Sequence, residues 1–201
     1  MHRIRESRSD SKEDIMANSK VKRMVGIAIL IAIVVVLQLL GQFIKFGPVS
    51  ISLVLLPIVV GAAVYGPGAG AILGATFSVV VLLQPDTAFF YGISTVGTVI
   101  TVLVKGTLAG WLSGLVYTAL ARKNTWLAVI LSAVTCPIVN TGLFFAGCLL
   151  FFKDGLAATG IENVMMYVLT VFIGFNFIAE FVVNVVCSPI AVRLLHAIKR
   201  A

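Results

Sequence analysis

The sequence predicts an all-α fold: an integral membrane bundle of six transmembrane helices with both termini in the cytoplasm. Three observations carry that expectation. Hydrophobic residues make up 60% of the 201-residue chain and charged residues 11%, and the mean hydropathy is +1.10, far outside the range of soluble domains. The apolar runs approach the roughly 20 residues that a helix needs to cross a bilayer core. They lack the period-two alternation of a membrane barrel, and because unpaired backbone groups are too costly in lipid they should be helical. The Lys and Arg residues between the runs fall almost entirely on one face.

Apolar runs and the breakers between them define the elements in order. Residues 1–23 form a basic cytoplasmic segment, and 24–201 a single six-helix domain. The first apolar run is too long for a signal peptide and lacks a small-residue cleavage site. It therefore stays as the first span, 24–44. Pro48, Pro67 and Pro85 punctuate the next forty residues or so, giving two short spans, 50–66 and 68–84, joined by the tight "YGPGAG" turn. Spans four and five are 95–120 and 126–151. The last, 164–196, exceeds one crossing and projects past the membrane surface.

With six spans, Arg3, Arg5, Arg8, Lys12, Lys20, Lys22, Arg23, Arg122, Lys123, Arg193, Lys199 and Arg200 share the terminal side. Only Lys45 and Lys153 lie opposite, and Lys105 falls inside a span. The excess of positive charge places both termini in the cytoplasm. It also accounts for the net charge of +7 without a nucleic-acid partner. The outer face then carries Asp86, Asp154 and Glu162, in loops 84–94 and 152–163.

Gly66, Gly70 and Gly74 recur at every fourth position, and so do Gly106, Gly110 and Gly114. Such stripes let helix backbones approach closely in lipid, either within the bundle or against another subunit. Ala28 and Ala32 make a third small pair, on the first span.

Ionisable side chains at membrane depth cost about 2.5–3.5 kcal/mol on insertion scales and default to a functional reading. Two are present, Lys105 and Glu180. Counted from the outer ends, Lys105 is about ten residues into span four and Glu180 about sixteen into span six, so both reach the middle of the bilayer. Asn140 is at about the same depth in span five, just after Pro137, which frees a backbone carbonyl. Asn176, Glu180 and Asn184 stack on one face of span six, and Thr98, Thr101 and Lys105 on one face of span four. The three faces imply a small hydrated cavity suited to a polar, partly charged molecule, because amides both donate and accept. Other readings stay open: Lys105 and Glu180 pair only with each other while the asparagines bridge helices, or the groups relay protons. Phe89, Phe90 and Tyr91 help close the mouth, or form an interfacial belt.

Enzyme motifs are absent. The sequence contains no HExxH, no Walker sequence and no nucleophile with a base at matching depth. "GPGAGAILG" lacks the Lys and Ser/Thr of a phosphate loop. Cys136, Cys148 and Cys187 lie within apolar runs and read as small buried hydrophobes, and His2 and His196 sit near the chain ends. No metal or cofactor is expected.

The basic N-terminal segment, Ala28-x-x-x-Ala32, "ISLVLLPIVVGAAVYGPGAGAILG" (51–74), "LVKGTLAGWLSGLVY" (103–117), "CPIVNTGLF" (136–144) and "NFIAEFVVNVV" (176–186) carry a family likeness. Over about residues 20–200 the chain resembles a substrate-binding S component of an energy-coupling factor (ECF) vitamin transporter. The resemblance implies a prokaryotic plasma-membrane protein that captures a water-soluble vitamin from outside. It would deliver the vitamin by toppling in the bilayer on a transmembrane coupling subunit driven by two cytoplasmic ATPases. Helices four to six and the outer loops would form the pocket, with Thr101, Lys105, Asn140, Asn176, Glu180 and Asn184 as substrate contacts. The small-residue faces of helices one to three would meet the coupling subunit, giving Ala28, Ala32, Gly70 and Gly74 that role. The "ISLVLLPIVVGA" region is similar to the branch containing pantothenate binders, and Lys105 suits a carboxylate; Glu180 favours a cationic or amide-rich ligand, and folate, riboflavin or another B vitamin stays open. The rivals are a self-sufficient secondary transporter or channel, and a non-transporting membrane scaffold.

Overall fold

In a computed structural model of the chain, residues 2–41, 45–46, 49–50, 54–158, 160 and 163–200 are described. The side chains of Arg3, Arg5, Arg8, Lys12, Asn176, His196, Lys199 and Arg200, together with residues Pro48 and Glu162, lie outside the described set. The described residues are helical except for turns and a short hairpin, in which β1 (Lys45–Phe46) pairs antiparallel with β2 (Val49–Ser50). The helices are α1 (His2–Gly41), α2 (Leu55–Tyr65), α3 (Pro67–Leu82), α4 (Ala88–Ile93), α5 (Thr95–Leu120), α6 (Thr125–Gly147), α7 (Lys153–Ala158), α8 (Val164–Tyr167) and α9 (Phe175–Arg200). Two π-helical turns, Cys148–Phe152 and Val168–Gly174, join α6 to α7 and α8 to α9.

Among the described residues, Asn18–Gly41, Thr95–Leu120 and Thr125–Ala158 are long and apolar enough to cross a membrane. The pair Pro67–Leu82 and Pro85–Ile93, bent by 75°, is a fourth if counted as one span. Among the described residues of the expected second span, 50–66, the helical ones are the eleven of α2, about half of what a crossing needs. Its first residue, Ser50, is in the hairpin.

Local chemistry sets the boundaries. Gly66 takes φ 91°, a conformation that a side chain would resist, and Pro67 opens α3 in the next position, where its missing N–H costs nothing. At the far end of α3, Gln84 is held extended at ψ 145° before Pro85, as a residue preceding proline prefers. The chain turns there. Ser94 caps α5 by accepting from the Gly97 N–H at 3.1 Å, and Asn124 caps α6 by accepting from the N–H groups of Trp126 and Leu127.

The bundle is organised around α5, against which α3 and α6 make the most extensive contacts. The two glycine stripes meet each other. A methyl group at Gly70 would run into the carbonyl of Gly110, one at Gly74 into the carbonyl of Gly106, and one at Gly114 into the backbone of Pro67. The antiparallel seam continues upward through Ser78, whose hydroxyl donates to the Val102 carbonyl at 2.7 Å. Gly70 and Gly74 are therefore buried against the chain's own α5. Ala28 and Ala32 are exposed on α1.

Polar contacts fasten α1 at two levels. The Arg23 guanidinium donates to the Tyr65 carbonyl at 2.9 Å, satisfying a carbonyl at the end of α2. The Tyr65 ring fills the space that Gly26 leaves. Four turns further on, Gln38 is bonded to Gln84.

Gly110→Ala should lower stability by about 1–3 kcal/mol, since overpacking here meets backbone that cannot rotate away. Gly68→Ala, where nothing lies within 4 Å, should leave it unchanged. Thermal unfolding of the two purified variants beside the parent checks both.

Candidate functional site

Above the glycine seam the small residues give out, and a cavity of about 130 Å³ begins. Its walls come from six helices, one π-helical turn and one corner. Span residues Thr98, Thr101, Val102 and Lys105 of α5 form one side; Asn140 and Phe144 of α6, Phe152 of the first π-turn and Glu180 of α9 form the next. Gln38 of α1, Phe77 and Val81 of α3, the corner residues Gln84, Asp86 and Thr87, and Phe90 of α4 close it.

The i, i+4 spacing of Thr101 and Lys105 places both on one face of α5. The Lys105 ammonium lies 4.7 Å from the centre of the Phe144 ring, within range of a cation–π attraction that strengthens where water is excluded. It also sits in the field of the Glu180 carboxylate. Thr101 is 5% exposed, Asn140 4% and Glu180 2%. Neither Thr101 Oγ1 nor Asn140 Oδ1 has a hydrogen-bond partner among the described residues. A buried polar atom left unbonded costs about 1–3 kcal/mol, and both of these residues line the cavity.

Aromatic rings line the remaining surface. Phe90 is the hub, edge-on to Phe89 at 5.4 Å and to Phe144 at 5.5 Å, and tilted against Phe152 at 5.1 Å. The corner that carries it is braced by two bonds to the last turn of α3: Thr87 Oγ1 donates to the Val81 carbonyl at 2.6 Å, and the Tyr91 hydroxyl to the Leu82 carbonyl at 3.0 Å. These satisfy carbonyls that a helix end leaves open.

The structure thus brings Thr101, Lys105, Asn140 and Glu180 to one cavity, with Phe90 over it. Phe89 is 48% exposed, lies against Phe90 and is not among the cavity's lining residues, and Tyr91 braces the corner. Asn184 is buried at 1% but does not line the cavity; its Nδ2 donates to the Glu180 carbonyl at 2.8 Å, one turn back. The side chain of Asn176 lies outside the described residues. Gln38, Gln84, Asp86 and Thr87, with Phe77, Phe144 and Phe152, escaped the sequence reading. For the two glutamines a signal existed: each interrupts an otherwise apolar run, "VVVLQLL" and "VVVLLQP".

A helical bundle with membrane-crossing helices and a buried polar cavity of this make-up defines a membrane-embedded binding protein for a small molecule. The sequence of residues 22–192 matches the family described as ECF transporter, substrate-specific component, and the chain belongs to that family. It is the substrate-specific subunit of an ECF transporter, a transport protein and not itself an enzyme. Its family implies a membrane coupling subunit and ATPases as partners. No curated protein matches the chain in sequence.

Asn140→Leu keeps the shape of the side chain while removing the unbonded oxygen. Without ligand its unfolding temperature should equal or exceed that of the parent, and the rise in unfolding temperature that a ligand confers should disappear. A thermal scan of parent and variant with and without added B vitamins reads both.

Proposed function

We propose that the cavity is the substrate site and that its guest is a water-soluble vitamin or vitamin precursor bearing a carboxylate, with pantothenate the leading candidate. The observation that carries this reading is the convergence of Lys105 with the unbonded Thr101 Oγ1 and Asn140 Oδ1 on one cavity. Lys105 pairs with the carboxylate, while Thr101, Asn140 and Glu180 take hydroxyl and amide groups. Asn176 and Asn184 extend the same polar face of α9. Phe90 covers the guest, with Phe89 and Tyr91 supporting it.

At about 130 Å³ the cavity is smaller than the roughly 300 Å³ at which small-molecule pockets begin. Binding therefore widens it. Six spans with cytoplasmic termini, in a prokaryotic plasma membrane, accord with the distribution of Lys and Arg. Residues 1–23 are then the cytoplasmic segment and 24–201 the binding domain. Delivery proceeds by toppling on the coupling subunit, driven by two cytoplasmic ATPases, and the exposed Ala28 and Ala32 form the α1 face that meets that subunit. Gly70 and Gly74 contribute indirectly, by holding α3 to α5.

Titration of the purified protein with a panel of B vitamins tests the assignment. Lys105→Met should weaken binding of a carboxylate-bearing vitamin by about 10- to 150-fold, the worth of a hydrogen bond to a charged group. It should leave a neutral analogue lacking the carboxylate, such as the alcohol corresponding to pantothenate, nearly unaffected. No saturable binding to any member of the panel would sink the reading. Sustained uptake by liposomes holding this chain alone would favour a self-sufficient transporter.

A further inference from the structure

The two ends of the cavity differ in charge. Its ionisable lining residues are Asp86, Lys105 and Glu180. Lys105 and Glu180 lie in each other's field, and Asp86 stands apart from them. The glycine seam gives the levels. Gly106, the neighbour of Lys105, lies against Gly74. From Gly74 to the end of α3 at Leu82 is eight residues, a rise of about 12 Å. Asp86 follows beyond that end, in the corner Pro85–Thr87, which the Thr87 and Tyr91 hydroxyls tie to the carbonyls of Val81 and Leu82. Burial follows the same order: Glu180 is 2% exposed, whereas Asp86 is open to solvent. Asp86 therefore marks the mouth and Lys105 the floor.

A guest that gives its carboxylate to Lys105 meets a different requirement at its other end. An ionised Asp86 accepts hydrogen bonds and donates none, and its carboxylate offers about four acceptor sites. It can keep its contacts within the protein and still take a hydroxyl or amine from the guest. A second negative charge on the guest would be repelled there. We infer that Asp86 sets the orientation and the charge class of the substrate: a monoanion lying lengthwise, its carboxylate inward on Lys105 and a neutral or cationic hydrogen-bond donor outward on Asp86. Guests with a phosphate or a second carboxylate at the outer end are rejected. An acidic residue at the entrance does not help to attract an anion; it separates one anion from another, because specificity is a difference of affinities and repulsion against the wrong guest supplies part of it.

The inference rests on the cavity being the substrate site, and the test separates the two. Pantothenate, which carries a hydroxyl at the end remote from its carboxylate, is compared with its phosphate ester at that hydroxyl. Both are titrated at low ionic strength into the full-length protein and into Asp86→Asn, which keeps an acceptor of the same size and removes the charge. The readout is the ratio of the two affinities within each protein, so a general change in binding caused by the substitution cancels. The preference for pantothenate over the ester should be about 10- to 30-fold smaller in Asp86→Asn, the worth of one charge beside a nearly doubly charged phosphate in water. In the parent, 1 M salt should shrink the same preference, because exposed charges are screened. A preference that changes by less than twofold, or an ester that stays unbound by the variant, would overturn the role of Asp86. Equal gains for both compounds would also do so, because they place the guest's carboxylate at the mouth. Pantothenate binding beside an unmoved ratio removes the selector alone, whereas no binding of either compound to either protein removes the substrate reading and the selector with it.

Discussion

The contact on which the rest of this structure depends is the backbone-to-backbone seam between α3 and α5. Lipid offers no hydrophobic drive to bring two helices together, so association relies on close packing and on polar bonds between helices. Gly70 against Gly110, Gly74 against Gly106 and Pro67 against Gly114 supply the packing, and Ser78 to the Val102 carbonyl supplies the bond. The seam fixes the rotation of α5. That rotation sends Thr98, Thr101 and Lys105 toward the space where α3 ceases to be small, so the same register that closes one half of the helix pair opens the other.

Around that opening the chain accepts costs that a purely structural bundle would avoid. Thr101 Oγ1 and Asn140 Oδ1 are buried with no hydrogen-bond partner among the described residues, and a lysine and a glutamate share a low-dielectric space. The cavity is lined by phenylalanines, which exclude water and strengthen whatever electrostatic contact forms inside. One of those rings, Phe152, belongs to a π-helical turn. Such turns occur mostly as single insertions at functional sites, and this one brings an aromatic residue to the cavity wall at the end of α6.

The sequence made some of this legible for definite reasons. Lys105 and Glu180 stand out because a charge in an apolar run has few structural uses, and Asn140 because it shares their depth. Gly66 and Pro67 announced their turn, and the glycine stripes announced close packing, although not that each stripe was the other's partner. What stayed hidden was of three kinds. Gln38 and Gln84 are neutral and near expected span ends, where a polar side chain ordinarily meets water. Phe77, Phe144 and Phe152 cannot be told from lipid-facing aromatics by type or spacing. Asn184 shares the helical face of Glu180 yet bonds to that residue's backbone one turn below the cavity, because equal spacing along a helix fixes a face and not a depth. At the start of the expected second span, Ser50 pairs in a hairpin, and the described helix begins at Leu55.

The central claim is that the substrate of this ECF subunit lies between Lys105 and Asn140, under Phe90. A structure of the protein purified with its bound small molecule tests it most directly. Ligand density is expected in this cavity, with an acidic group within hydrogen-bonding distance of Lys105 Nζ, a polar group on Asn140 Oδ1, and a volume larger than in the ligand-free state. Ligand density elsewhere, such as the apolar groove lined by Ile138, Phe145 and Phe177, with this cavity unchanged, would contradict it.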